Sequence, residues 1–127
     1  MSPHPDTTEA DALFSQLVSL HDEHGNGPGF RPAMIAALKT MRQDGHRRIE
    51  AMLAEDGRGL ICAQRLALLQ DAIVQALFRF ATQRLAKVDN PLSGERLCCV
   101  ALGGYGRATM APGSDVDLLF LMPYKQT

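Results

Sequence analysis

Asp115 and Asp117 stand one residue apart at the start of the apolar run "VDLLFLM", and Gly103, Gly104 and Gly106 precede them in "ALGGYGR". Alternation along a strand sends both carboxylates to one face and Val116 to the other. Neighbouring carboxylates repel each other unless water or cations share them, and hard oxygen ligands of this kind suit Mg²⁺. Their spacing can span a two-metal site, whose ions lie about 3.5–4 Å apart and stabilise the attacking and leaving oxygens of an in-line displacement at phosphorus. By itself, such a pair is also what an ordinary solvated strand edge looks like.

The glycines supply a different property. Without side chains, Gly103, Gly104 and Gly106 let backbone N–H groups approach a triphosphate closely, and a short helix starting there would add its N-terminal dipole. Arg107 can form a bidentate fork with phosphate oxygens, although an exposed loop arginine often binds nothing specific. The Walker pattern fails because no lysine lies in the turn. The dinucleotide pattern fails because Thr109 would occupy its third glycine and Pro112 interrupts the helix too early. A glycine turn alone is an ordinary tight turn. The order strand, glycine turn, Gly-Ser-Asp-x-Asp, strand is far more specific.

The elements that position these residues follow from periodicity. Asp6 and Glu9 have capping-box spacing, and Leu13, Leu17 and Leu20 place a first helix from about Thr7 to Leu20, ended by "HGNGPGF". Pro32 suits the first turn of a second helix, where Ile35, Leu38, Ile49 and Leu53 mark a partly apolar face to about Ala54 and Gly45 weakens the middle. Ile61, Leu66, Leu69, Ile73, Leu77, Phe80 and Leu85 keep helical spacing in a long third helix with Arg65, Asp71, Arg79 and Arg84 interspersed. Pro91 and Ser93-Gly94 break it. "RLCCVAL" and "VDLLFLM" then read as short interior strands. Three helices followed by the start of a sheet suggest an α+β or α/β unit, and the expected class is α+β, with a helical region over residues 1–94 and a sheet-forming unit over 95–127.

Composition narrows the function classes. The 127 residues are 46% hydrophobic, enough for one core, and a net charge of −1 with a pI near 6.4 offers no polyelectrolyte attraction for nucleic acid or anionic lipid. No apolar run is read as approaching a membrane helix, and the N-terminus lacks the layout of a signal peptide, so a cytoplasmic location is expected. Cys62, Cys98 and Cys99 have no metal-binding spacing and read as small buried hydrophobes. "HDEH", residues 21–24, could in principle hold Zn²⁺ or Ni²⁺, but it reads as a solvated helix end beside a glycine-rich linker.

"GGYGR" followed by "APGSDVDLLFL" resembles the signature of DNA polymerase β-like nucleotidyltransferases, and more narrowly of the bacterial PII-protein uridylyltransferase / uridylyl-removing enzymes. The adenylyltransferase of glutamine synthetase shares the Gly-Gly turn and Ser-Asp-x-Asp-Leu, while the continuous "GGYGR" and the "APGSD" join favour the uridylyltransferases. "ALKTMRQDGHRRIEAML", "GRGLICAQRLALLQDAIVQAL" and "PYKQT" are also similar to that family, so the resemblance extends over nearly all of the chain from Pro32. It implies N-terminal helices followed by the first two strands of an incomplete nucleotidyltransferase fold. The implied reaction is transfer of UMP from UTP to a tyrosine of PII, with release of pyrophosphate. Gly103 and Gly104 would meet the UTP phosphates, Asp115 and Asp117 would ligate Mg²⁺, and Ser114 would orient the metal site. Ala108-Thr109-Met110 stands where many members carry Gly-Glu-Leu.

The superfamily also uses a third carboxylate on a later strand, and family members add a hydrolase domain for uridylyl removal and C-terminal domains that sense glutamine. None of these is read in this sequence, so the chain alone is expected to be catalytically inactive. From a different class comes the reading of a helical interaction module whose third helix docks a partner. That reading leaves the joined glycine and aspartate pattern unexplained.

Overall fold

The computed structural model describes residues 7–85, 98–111 and 116–121. Three helices, α1 (Thr7–His24), α2 (Phe30–Asp56) and α3 (Gly59–Phe80), precede β1 (Cys98–Leu102), a one-turn helix α4 (Gly103–Gly106) and β2 (Asp117–Leu121). The α+β class expected from the sequence is the observed one. Asp6, the 91–94 breaker and the boundary at residue 94 lie outside the described residues.

The helices form because their apolar positions fall on single faces. Leu13 and Leu17 of α1, Phe30 and Ile49 of α2, and Leu66, Leu69, Ile73 and Phe80 of α3 share one core, with Leu17 and Phe80 almost completely enclosed. Full burial of a side chain such as Leu17 is worth about 2 kcal/mol. α1 runs four residues beyond Leu20, because His21 is drawn into the core margin: its ring packs edge-on against Phe30 and Phe80, at 5.2 and 5.5 Å between centroids. The "HDEH" helix end is therefore solvated at Asp22, Glu23 and His24, while His21 is half-buried and bonded through Nε2 to Asn26 Oδ1 at 2.9 Å.

α2 begins two residues before Pro32 and ends at Asp56, where Gly57, at φ 66°, donates its N–H to Leu53 O at 2.7 Å. This left-handed cap favours glycine because it has no Cβ to clash. Gly45 does not interrupt the helix. It is buried where α2 meets α3, and a Cβ built there would lie 2.6 Å from Leu69 Cδ2. The missing side chain makes room for the leucine.

α3 is the central helix, burying Cys62, Leu66, Ala67, Leu69, Ala72, Ile73, Ala76 and Phe80 against its neighbours. Its final turn, Ala81–Leu85, widens into a π-helical turn, with the Thr82 hydroxyl donating back to Phe78 O at 2.9 Å. The stretch Gly59–Leu85 is, by length and composition, long and apolar enough to cross a membrane, which corrects the expectation that no run approaches that size. Its buried residues belong to the helical core. Ion pairs lace the outer faces: Arg48–Glu9, Arg79–Asp11, Arg65–Asp56, Arg47–Asp44 and Arg84–Asp22.

β1 and β2 pair antiparallel, from Cys98 opposite Leu121 to Leu102 opposite Asp117. They are not the interior strands expected. Leu119, Phe120 and Leu121 are about half exposed, Cys98 is exposed and Cys99 half-buried, so only Cys62 is the small buried hydrophobe anticipated. The physical reason is that, among the described residues, the three long helices bury their apolar faces on one another and the two-stranded ribbon is covered by no comparable layer.

Candidate functional site

The site is built at the end of the ribbon where β1 turns into α4. Leu102 is extended, and Gly103 takes φ 64°, a left-handed conformation that reverses the chain into the helical turn. In the ladder Leu102 lies opposite Asp117, which brings that carboxylate to the turn: a Cβ added to Gly103 would lie 3.0 Å from Asp117 Oδ2. Glycine is thus needed at 103 both for its φ and for the carboxylate beside it.

Gly106 has another reason. The turn folds so closely onto β1 that a Cβ at 106 would lie 2.7 Å from Ala101 O. Arg107 donates its N–H to Gly103 O and Gly104 O at 3.2 and 3.1 Å, closing the turn. Its guanidinium lies over the glycines, 3.8 Å from where a Gly104 Cβ would be, and makes no ion pair among the described residues. Thr109 donates its N–H and its hydroxyl to Gly104 O, at 3.2 and 3.4 Å. Ala108, at φ 60°, adopts a left-handed conformation that costs an L-residue about 1–2 kcal/mol.

Two anchors tie the turn to α3. Met110 N–H donates to Ala63 O at 3.0 Å, and the hydroxyl of Tyr105, a residue 6% exposed, donates to Asp71 Oδ1 at 2.5 Å. Burial, followed by the Asp71 carboxylate, pushes the Tyr105 phenol well above its ordinary value. Neither residue was assigned a role from sequence. Tyr105 stood inside "GGYGR" as an unassigned letter and Asp71 read as one charge on a helix face. The available signal was an aromatic residue within a glycine turn, which has little other reason to be there than burial.

Gly104, Tyr105, Thr109 and Asp117, with Ala63 of α3, line an open cleft of about 480 Å³. Of the sequence-predicted site residues, the structure brings together Gly103, Gly104, Arg107 and Asp117. Ser114 and Asp115 lie outside the described residues. The helical turn is a single turn, too short to build much of a dipole. Asp117 is exposed and makes no ion pair among the described residues, so its hard oxygens are open to a cation, and the donor type fits Mg²⁺. Such a cleft can hold an anionic phosphate chain between backbone amides and a carboxylate-bound cation.

The family model described as GlnE, glutamate-ammonia ligase adenylyltransferase, matches residues 2–127. The chain is also similar to the bifunctional uridylyltransferase/uridylyl-removing enzyme of Rhodopseudomonas palustris, at 45% identity over 97% of this chain and 14% of that protein. A protein of the same name from a Bradyrhizobium species is 46% identical over 96% of this chain and 13% of its own length. The chain therefore spans about one seventh of the curated relatives it matches. No solved structure matches it.

Proposed function

Because the chain belongs to the nucleotidyltransferase family described as glutamate-ammonia ligase adenylyltransferase, with uridylyltransferases among its relatives, we propose that it is the part of a uridylyltransferase that carries the phosphate turn and the metal carboxylates. Residues 1–94 are the helical region and 95–127 begin the nucleotidyltransferase domain of a cytoplasmic enzyme. The observation that carries this reading is the packing of Asp117 Oδ2 against the side-chain-free face of Gly103. A phosphate drawn to the glycine turn necessarily lies beside a carboxylate, and that repulsion is relieved only by a cation shared between them.

The donor is UTP and the acceptor a tyrosine hydroxyl of PII. The tyrosine oxygen bonds to the α-phosphorus, the bond from that phosphorus to the bridging oxygen breaks, pyrophosphate leaves, and the hydroxyl proton passes to a base. Asp115 and Asp117 would hold Mg²⁺, which neutralises charge on the phosphates when bound. Gly103 and Gly104 admit the phosphates, Arg107 pairs with their oxygens, and Ser114 orients the metal carboxylates. The Tyr105–Asp71 and Met110–Ala63 bonds hold the turn against α3 so that these contacts need no reorganisation. The base is assigned to no described residue, and binding of Mg-UTP is the activity expected of the chain by itself.

The family description favours a second reading, AMP transfer from ATP to glutamine synthetase. The test is a titration of the chain with Mg-UTP, paired with transfer assays on the full-length protein using UTP and PII or ATP and glutamine synthetase. Mg-UTP binding weakened at least tenfold by Asp117→Asn, with label transferred to PII alone, is the expected result. Label on glutamine synthetase alone would establish the second reading, and binding indifferent to Asp117→Asn would sink both.

A further inference from the structure

A second cavity, of about 390 Å³, lies between α2 and α3; Met110 and Ala111 line both it and the candidate cleft, and Val116 lines it while the adjacent Asp117 lines the first. Its floor is apolar, made by Leu66, Leu69 and Ile73 of α3. Its rim is not. Lys39, Arg42 and His46 of α2 all line it, at a spacing of three and four residues that sets them on one helix face. Among the described residues, no carboxylate lines the cavity.

These side chains differ from most other cations of the helical body, although Arg31 and Arg58 likewise make no ion pair among the described residues. Arg47, Arg48, Arg65, Arg79 and Arg84 each pair with an aspartate or glutamate, whereas Lys39 and Arg42 make no ion pair among the described residues. Two cations without an ion pair among the described residues and an imidazole beside a concave apolar surface suit a ligand with the complementary division: an anionic end and a flat apolar end.

We propose that this groove is a binding site for a small phosphate-bearing organic anion of the nucleoside phosphate class, separate from the phosphate turn. The phosphates take Lys39, Arg42 and His46, and the ring system lies on the Leu66–Leu69–Ile73 floor. The cavity has the size of a small-molecule site, which favours such a ligand over a protein segment. Because Val116 forms part of its wall, an occupant also touches the segment that leads into β2 and Asp117.

This inference stands apart from the nucleotide-transfer reading, and its test excludes the carboxylate site by chelating divalent metal. The folded chain in EDTA is titrated with ATP, with tripolyphosphate and with adenosine, following amide resonances by NMR. ATP is expected to saturate and to shift resonances of α2 and of Met110, Ala111 and Val116, tighter than either part alone by about tenfold or more. Lys39→Ala/Arg42→Ala is expected to weaken ATP by at least about tenfold while melting at the wild-type temperature, since both side chains lie on the rim. Arg48→Ala, which removes a cation of the same helix that faces Glu9, and Asp117→Asn should leave the affinity within about twofold. Absence of saturable ATP binding overturns the proposal, as does full affinity in the Lys39/Arg42 variant. Tripolyphosphate binding as tight as ATP would also overturn it, because the apolar floor would then contribute nothing.

Discussion

Tyr105→Phe tests whether the glycine turn is held by the helical body. The substitution keeps the buried ring and removes one hydroxyl, which donates to Asp71 Oδ1 at 2.5 Å across 34 residues of sequence. A hydrogen bond to a charged group is worth about 1.5–3 kcal/mol, and because Asp71 is half-buried, water recovers part of that. The expected loss is about 1.5 kcal/mol at pH 7, or about 5 °C in Tm for a chain of this size. The pH dependence supplies a second readout. The phenol is raised above its ordinary value of about 10 in the folded chain, so the folded state holds its proton more tightly than the unfolded state. The stabilisation is therefore complete below pH 10 and is lost as pH rises beyond it, by up to about 1.4 kcal/mol per pH unit. Tyr105→Phe lacks that loss, and the gap between the two proteins should close above pH 10. Thermal melts at pH 7, 9, 10 and 11, with a double-mutant cycle through Asp71→Ala, measure both effects. A cycle additive within about 0.3 kcal/mol, or a gap that stays constant to pH 11, would refute the reasoning.

Two glycines carry opposite expectations from a propensity scale and from packing. Gly45→Ala should gain about 1 kcal/mol of helix propensity, yet its Cβ would lie 2.6 and 2.7 Å from the Leu69 methyls, so a net loss of about 1–2 kcal/mol in chemical denaturation is expected. Adding Leu69→Val should recover part of it. Gly106→Ala meets backbone instead of a side chain, 2.7 Å from Ala101 O, so the turn must shift off β1. The expected result is loss of amide-exchange protection across β1 and α4 and at least tenfold weaker Mg-UTP binding, while the α1–α3 core keeps its protection.

Much of this protein was legible along the chain. The spacing of Leu13 and Leu17, or of Leu66, Leu69 and Ile73, forces a helix with one apolar face whatever surrounds it, and the change to short apolar runs after residue 94 marked the strands. The order of glycines and aspartates likewise identified the family, because those residue types answer to the chemistry of phosphate and metal. Less legible were features in which one segment acts on another. Gly45 read as a weak point until Leu69 was seen to occupy its missing side chain. Cys98 and Cys99 read as buried because an apolar strand normally has a layer over it, and in the described residues this ribbon has none.

The sequence by itself determined the helices, the glycine turn and the residues proposed to meet phosphate and metal, since each depends on neighbours a few positions away. Only the tertiary structure decided that Asp117 sits against Gly103, that Tyr105 fastens the turn to Asp71, and that Lys39 and Arg42 line an apolar hollow with no ion pair among the described residues. Those relations join residues dozens of positions apart or across a ladder register. They are set by how the helices and the ribbon pack, and no local pattern encodes that.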